Sequence, residues 1–369
     1  MRLMSDVVIR QGLAYSRPEL VSALREMIGR SGGWPERIRP GARVLLKVNM
    51  LAAKPPHRGI TTHPEIVAAM AELLLERGCR VAAGDSPGGA VGGVERYWRS
   101  CGYEPLRDDP GVELVSFEAS GSVRMSAGGR SYNIARAVAD ADALVNMCKF
   151  KTHMLCRLTN AVKNSFGAVP GLGKAVIHSQ SVRPRDLAVR IVDVHTLVPF
   201  DLVVMDGIIS MDGRGPSTDG RARRDGVLAV ARDGVLLDLV MAGLAGLDPM
   251  ALGTNREARR RGLGRPPEEI SVDGTAVLPG FRVPSNAVYD MVPPFMGALA
   301  RMALRTVPRS GRNCTGCGFC AASCPAGAIA IRNGRAVMNA RKCIVCLCCH
   351  ELCPENAIVV RNPIHRRRR

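Results

Sequence analysis

C-T-G-C-G-F-C-A-A-S-C-P, residues 314–325, and C-I-V-C-L-C-C-H-E-L-C-P, residues 343–354, decide how the C-terminal part of the chain folds. Both read C-x2-C-x2-C-x3-C followed by proline. Cys314, Cys317 and Cys320 place three thiolates on one tight loop, as do Cys343, Cys346 and Cys349. The fourth cysteine of each run, Cys324 or Cys353, points away. This suits a cubane whose fourth iron is held from the other run. The expected ligation is therefore crossed: Cys314, Cys317, Cys320 and Cys353 on one [4Fe-4S] cluster, Cys343, Cys346, Cys349 and Cys324 on the other. A zinc ribbon or a disulfide framework is the alternative. Zinc sites pair two C-x2-C knuckles and have no use for eight ligands with two trailing Cys-Pro pairs. Cys348 is an extra thiol within the second run and competes for a ligand position there.

The segment 313–360 resembles a bacterial-type two-cluster ferredoxin. It uses a small part of a 369-residue chain, 46% hydrophobic and 4% aromatic, so Leu, Val, Ala and Met must fill the remaining core. Neither a signal peptide nor an apolar run of about twenty residues appears, which predicts a cytoplasmic protein without a membrane span. Iron–sulfur ligation agrees, because the cytosol keeps thiolates reduced. Cys79, Cys101, Cys148 and Cys156 then read as small buried hydrophobes, although Cys148 and Cys156 are also candidates for redox thiols.

The net charge is +18. Nucleic-acid binding would gather that charge on one stripe with interleaved aromatics. Here the arginines are spread along the chain, with dense runs only at 256–261 and 366–369, which argues against it. Docking of an acidic redox partner (a ferredoxin, flavodoxin or reductase) or of a small anionic substrate is the second reading. A plain arginine-rich surface is the third. Lysine says more: seven lysines stand beside forty-four arginines, yet Lys149, Lys151, Lys163 and Lys174 fall within twenty-six residues and Lys47 ends an apolar strand. A planar guanidinium cannot replace a compact ammonium that must fit a pocket, meet an anion as a point charge or lose a proton.

Apolar runs at 7–9, 44–48, 80–83, 112–117, 143–147, 202–205 and 227–231 predict strands, and amphipathic stretches at 18–29, 63–76, 94–101, 187–197 and 236–245 predict helices. Their alternation predicts an α/β fold, a mixed or mostly parallel sheet covered by helices, followed by a small α+β ferredoxin-like domain. The expected organisation is an α/β domain over 1–250, closing elements and a linker over 251–312, the cluster domain over 313–360 and a basic tail over 361–369. In such sheets ligands gather at the carboxyl ends of the strands. Lys47-Val48-Asn49 and the glycine loop Gly84-Asp85-Ser86-Pro87-Gly88-Gly89 lie at such ends. So do Asn146-Met147-Cys148-Lys149-Phe150-Lys151-Thr152-His153 and Asp206-Gly207, with Val162-Lys163-Asn164-Ser165-Phe166-Gly167 nearby.

The order of these motifs (K-V-N, T-H-P, G-D-S-P-G, K-F-K-T-H, V-K-N-S-F-G and the G-x-G-P loop at Gly213–Pro216 followed by Asp238) resembles the DUF362 domain family over residues 5–250. Members of that family often carry a two-cluster ferredoxin segment, and the domain is similar at a distance to the nickel-dependent lactate racemase domain. Cys148 departs from the family pattern, which more often has proline there. The resemblance implies a fold and a pairing with clusters but no reaction, so function rests on the residues.

Lys151, His153 and Lys163 are the candidate catalytic groups. Lys47, Asn49, Asp85, Ser86, Lys149, Asn164, Asp206 and Gly215 are the candidate substrate-binding ones. Together they would hold a carboxylate, phosphate or enolate-like anion. Asp85, Asp206, Asp212 and Asp238 could bind a divalent metal or satisfy the lysines. His153 and His178 are the one pair available to a transition metal. Two functions are expected to compete: an oxidoreductase passing low-potential electrons through two clusters to that anion, and a non-catalytic electron carrier or assembly factor docking an acidic partner.

Overall fold

The computed structural model describes residues 4–87, 93–181, 183–216, 220–285 and 307–360. The Gly88-Gly89 end of the glycine loop, residues 286–306 of the expected linker and the basic tail lie outside the described residues.

The chain runs β1 (Val7–Arg10), α1 (Arg17–Arg30), β2 (Arg43–Lys47), α2 (Pro64–Glu76), β3 (Arg80–Asp85), α3 (Glu95–Ser100), α4 (Glu104–Arg107) and β4 (Val112–Ser116). The hairpin β5 (Ser122–Ala127) and β6 (Arg130–Ala135) and the turn α5 (Arg136–Ala139) follow. Then come β7 (Ala143–His153), β8 (Arg157–Leu158), α6 (Asn160–Asn164), α7 (Gly173–Gln180), α8 (Pro184–Leu197), β9 (Leu202–Gly213) and β10 (Gly220–Ala231). α9 (Gly234–Leu244), α10 (Gly253–Arg260) and β11 (Val272–Asp273) close the α/β domain. The sheet order is β11-β1-β10-β9-β7-β2-β3-β4, with β8 attached to β7. β9, β7, β2, β3 and β4 pair in parallel, while β10 is antiparallel to both β9 and β1. The fold is α/β around a mixed, mostly parallel sheet.

Local chemistry explains the helix starts. Pro64 opens α2, and His63 Nδ1 accepts the Glu65 N–H at 3.2 Å. Asp233 caps α9 by accepting the Val235 N–H at 2.6 Å. Such caps satisfy N–H groups that have no partner within the helix. Apolar residues then bury both faces of the sheet. On β7, Leu144, Cys148 and Phe150 pack with α6, α8 and α9, while Ala143, Val145 and Met147 pack with α1 and α2. Every residue of β7 is buried, the lysines and histidine of its second half included.

Connections leaving β2 travel toward β3 and β4, whereas β7 leads on to β9 on its other side. The strand order thus reverses between β2 and β7. A crevice opens at the carboxyl ends of strands wherever that happens.

The small C-terminal region pairs Arg309–Ser310 (β12) with Ile358–Val359 (β15) and folds Ile329–Arg332 (β13) against Arg335–Met338 (β14). Two helical turns, Phe319–Ala322 and Cys348–Leu352, carry the third cysteine of each run.

Candidate functional site

The reversal between β2 and β7 collects the polar residues of four parallel strands. Lys47 ends β2, and its ammonium meets Asp85 Oδ1, at the end of β3, at 2.8 Å. Lys149, on β7, meets Asp206 Oδ2, on β9, at 2.7 Å, and both side chains are fully buried. Tyr15 donates to Asp206 Oδ1 at 2.7 Å and stacks on His63, whose N–H reaches Asp206 Oδ2 at 2.9 Å. Burial pushes both lysines down from the usual ammonium range, and the paired carboxylates oppose that shift. The two pairs therefore satisfy themselves and form a closed floor. Gly167 is required there: a Cβ would lie 2.3 Å from Asp85 Oδ1 and 2.6 Å from Lys47 Nζ.

Above the floor the groups are not paired off. Lys151 Nζ donates to Asn49 Oδ1 at 2.6 Å and to the Ile60 carbonyl at 2.5 Å, with no carboxylate within ion-pair distance among the described residues. Asn49 donates to Asn164 Oδ1 at 2.8 Å, and Asn164 to Asn146 Oδ1 at 2.7 Å, so an amide chain anchors Lys151 to the sheet. Burial, then the nearby Lys163 cation, holds the Lys151 ammonium well below its ordinary range. His153 accepts the Leu155 and Cys156 N–H groups at Nδ1, each at 3.1 Å. The neutral imidazole thus carries its proton on Nε2. Burial and the cations around it push His153 far below the usual imidazole range. Its Nε2 is buried with no hydrogen-bond partner. Lys163, on α6, likewise makes no hydrogen bond or ion pair among the described residues.

The side chain facing this group comes from the cluster segment. Glu351, on the turn Cys348–Leu352, brings Oε1 to 3.3 Å from His153 Nε2, close but misaligned for a hydrogen bond. Lys163 and Lys151 are its cationic neighbours. Two tethers hold the segment in place. Lys54 Nζ donates to the Pro354 carbonyl and to Asn356 Oδ1, the latter at 2.9 Å. The Arg96 guanidinium lies 4.2 Å from the centre of the Phe319 ring.

The other sequence-predicted residues surround the site. Ser86 accepts from Lys174 and donates to Glu118. Burial lowers Lys174 to about 8. His178 stands edge-on to Phe166, and burial with the Lys163 and Lys174 cations lowers it to about 3. Gly215 lets the β9–β10 loop press onto β7, where a Cβ would lie 2.6 Å from Thr152 Oγ1, and its carbonyl accepts the Met154 N–H at 3.1 Å.

The four aspartates do not converge. Asp85 and Asp206 pair with lysines, Asp212 binds Arg221 at 2.7 Å, and Asp238 accepts the Ala161 and Val162 N–H groups that open α6. Among the described residues no group of three His, Cys, Asp or Glu side chains is set to hold a single metal ion. Cys148 and Cys156 are buried, and burial raises both thiols, Cys156 to about 11, away from a reactive thiolate.

The eight motif cysteines line two cavities. Cys314, Cys317, Cys320 and Cys353 face one; Cys324, Cys343, Cys346 and Cys349, together with Cys348, face the other. Backbone N–H groups point at four of the sulfurs: Ala336 at Cys314, Ala328 at Cys324, Val345 at Cys343 and Ala357 at Cys353, at 3.1 to 3.4 Å. Four thiols about a cavity with N–H donors behind them is the donor chemistry that a cubane requires, so these residues fit the group. The two loops also share a backbone path. Gly316 and Gly318 have φ of 67° and 82°, and the equivalent residues of the second run, Val345 and Leu347, have 56° and 65°.

Sequence reasoning passed over Glu351, Lys54 and Tyr15. Lys54 was open to the lysine argument, since it too survives in an arginine-rich chain. Glu351 had a signal as well: the equivalent position of the first run is Ala322, and Glu351 and Glu355 are the only acids in 307–360.

The chain matches the model of the DUF362 family, a domain of unknown function, over residues 44–243, and that of a 4Fe-4S dicluster domain over 307–354. It is 32% identical over 270 residues to the "Thylakoid-associated protein sll1697" of Synechocystis sp., covering 73% of this chain and 83% of that protein. Among solved structures, the lactate racemase apoprotein from Thermoanaerobacterium thermosaccharolyticum matches with 11% identity and a TM-score of 0.36, over 57% of this chain and 52% of that one. The chain belongs to the DUF362 family and carries a C-terminal iron–sulfur dicluster segment.

Proposed function

From DUF362 membership with a dicluster segment as the premise, we propose that the protein is an iron–sulfur oxidoreductase acting on a small anion held at Lys151, His153 and Lys163. The observation that carries this reading is the seating of the second cysteine run on the strand ends, with Glu351 3.3 Å from His153 Nε2. We assign Cys314, Cys317, Cys320 and Cys353 to one [4Fe-4S] cluster and Cys343, Cys346, Cys349 and Cys324 to the other. When bound, the two clusters supply single low-potential electrons.

The chain's own residues do the rest. Lys163 and Lys151 draw the anion in and orient it. Lys47–Asp85 and Lys149–Asp206, already compensated, fix the strand ends below it, and Asn49 and Asn164 set the position of Lys151. The His153 Nε2–H donates a hydrogen bond to developing negative charge. A two-electron reduction consumes two electrons from a donor protein and two protons. Lys151, its proton loosened by burial, gives one and Lys163 the other, and solvent restores both. The donor is an acidic ferredoxin, flavodoxin or reductase docking on the cluster segment. There Arg309, Arg312, Arg332, Arg335, Arg341 and Lys342 are exposed. We place the protein in the cytoplasm, where thiolates stay reduced; among the described residues no helix is long and apolar enough to cross a membrane.

The test uses the whole chain, purified and reduced without oxygen, and follows reoxidation of its visible absorbance on adding a panel of small carboxylates and phosphates. Lys151→Met and Lys163→Met should each slow anion-dependent reoxidation at least tenfold with iron content unchanged. Equal rates in both variants would sink the proposal. The carrier or assembly-factor reading draws on one observation, that Lys149, Lys151 and His153 are at most 1% exposed. It prevails if no small molecule reoxidises the protein while an acidic redox protein does so rapidly.

A further inference from the structure

Glu351 stands where nothing in the cluster segment needs it. Its counterpart in the first run is Ala322, on a turn of the same kind, so a carboxylate is not part of building the loop. The segment's exposed face is basic, yet this acid turns inward and its side chain is 12% exposed. It arrives beside two lysines without a carboxylate among the described residues and an imidazole Nε2 without a hydrogen-bond partner.

Lys47 and Lys149 each own a carboxylate at 2.8 and 2.7 Å, and those aspartates are engaged by further donors. Lys151 owns none, Lys163 has no ion pair among the described residues, and the Nε2 of His153 is buried and unbonded. Of the three, His153 Nε2 is the buried donor without an acceptor, and such a group costs about 1–3 kcal/mol, so native sites rarely keep one that nothing uses. Glu351 approaches these three donors without seating well on any: it is 3.3 Å from His153 Nε2 at a poor angle and beyond ion-pair distance from both lysines. Three convergent donors and one ill-fitting carboxylate describe a site shaped for a carboxylate that can sit more freely than a tethered side chain.

We infer that Glu351 is an internal place-holder for a carboxylate ligand, and that the turn Cys348–Leu352 is the lid such a ligand displaces. This deepens the anion-site reading above and rests on it: the substrate class becomes a small carboxylic acid anion, and access to the site is coupled to movement of the second cysteine run. Lys54 and Arg96 tether the segment at Pro354, Asn356 and Phe319, outside the turn Cys348–Leu352 itself.

The probe is acetate, which has the size of the Glu351 side-chain end and no redox chemistry of its own. Its binding to the whole, cluster-loaded protein is measured by calorimetry, with iron content checked for each variant. Glu351→Ala should bind acetate at least tenfold tighter than the parent, about 1.4 kcal/mol. Adding Lys163→Met or Lys151→Met to Glu351→Ala should remove that gain. Glu351→Gln, which keeps the volume and loses the charge, should fall between parent and Glu351→Ala. If Glu351→Ala loses iron, Glu351→Gln alone decides: tighter acetate binding supports the inference and equal binding overturns it. Equal affinity in the parent and an iron-replete Glu351→Ala, or a gain that survives both lysine substitutions, also overturns it. Acetate binding says nothing of electron flow, so the two ideas fail separately. Anion-dependent reoxidation without an acetate effect ends the place-holder alone, and an acetate effect without reoxidation by any anion ends the redox reading alone.

Discussion

Removing one partner of the Lys149–Asp206 pair tests whether the floor of the site is a compensated ion pair. At 2.7 Å, with an effective dielectric of about 20, the Coulomb attraction is about 6 kcal/mol. Taking both ions out of water offsets most of that, so the pair's net contribution is small while the loss of either member is not. Leaving one buried charge uncompensated costs about 3–5 kcal/mol. The structure orders the two cases. After Lys149→Met, Asp206 still accepts from Tyr15, from the His63 N–H and from the Ile208 N–H, so the cost falls at the low end. After Asp206→Leu, Lys149 keeps only the Tyr15 hydroxyl at 3.2 Å, and three donors lose their acceptor, so the cost falls at the high end.

The double variant Lys149→Met with Asp206→Leu replaces both charges with apolar groups of similar bulk. Its cost should be less than the sum of the singles by about 3 kcal/mol. The assay is urea unfolding of the whole chain without oxygen, followed by far-UV circular dichroism, comparing midpoints at constant slope. Single-variant costs that add to the double within about 0.5 kcal/mol would refute the coupling, and with it the argument that these two residues neutralise each other.

Other outcomes follow from the same geometry. Cys353→Ser and Cys314→Ser should each lower iron from about eight to about four per chain, while Cys348→Ala should leave it unchanged; a colorimetric iron assay reads all three. Gly167→Ala should destabilise by about 1–3 kcal/mol in the same urea assay, because its methyl group would strike Asp85 and Lys47, both built into the floor. His195, which meets Ser165 Oγ at 2.9 Å, is lowered to about 4 by burial. A folded pKa below the unfolded value makes the unfolded chain bind the extra proton. That stability is therefore complete above the unfolded pKa near 6.5 and lost as pH falls toward about 4, and His195→Gln should flatten this part of the pH–stability curve. Val345→Gly should hold or raise the thermal stability of the cluster segment by up to about 1 kcal/mol, since a β-branched residue at φ 56° is strained by about that amount.

Much of the sheet was legible because its strands are short apolar runs buried on both faces, and all seven expected strands are present. The second half of β7 was not. Lys149, Lys151 and His153 interrupt the apolar run, so the strand seemed to end at 147 although it continues to His153 with every residue buried. β9 and β10 also run further than their apolar parts, because main-chain pairing from Gly213 with Gly220 onward carries them past the hydrophobic core. The hairpin β5–β6 lies outside the main sheet, and β5 (Ser-Val-Arg-Met-Ser-Ala) alternates exposed polar with half-buried apolar residues, so it offers no continuous apolar run of the kind that marks the buried strands. The lysine bias picks out Lys47, Lys149, Lys151 and Lys163 together but cannot sort them. Lys47 and Lys149 have aspartates delivered by strands 38 and 57 residues later, whereas Lys151 and Lys163 have none among the described residues, a fact of topology rather than of composition.

The position of Glu351 ties the two halves of the molecule together more closely than their sequences imply. It lies two residues after Cys349 and two before Cys353, and the crossed ligation we propose would give those cysteines to different clusters. A ligand that lifts Glu351 off Lys151, Lys163 and His153 therefore pulls on a loop that both cluster cavities share. Linkage makes the effect reciprocal: if seating an anion changes how readily the segment takes an electron, then reduction of the segment changes anion affinity by the same factor.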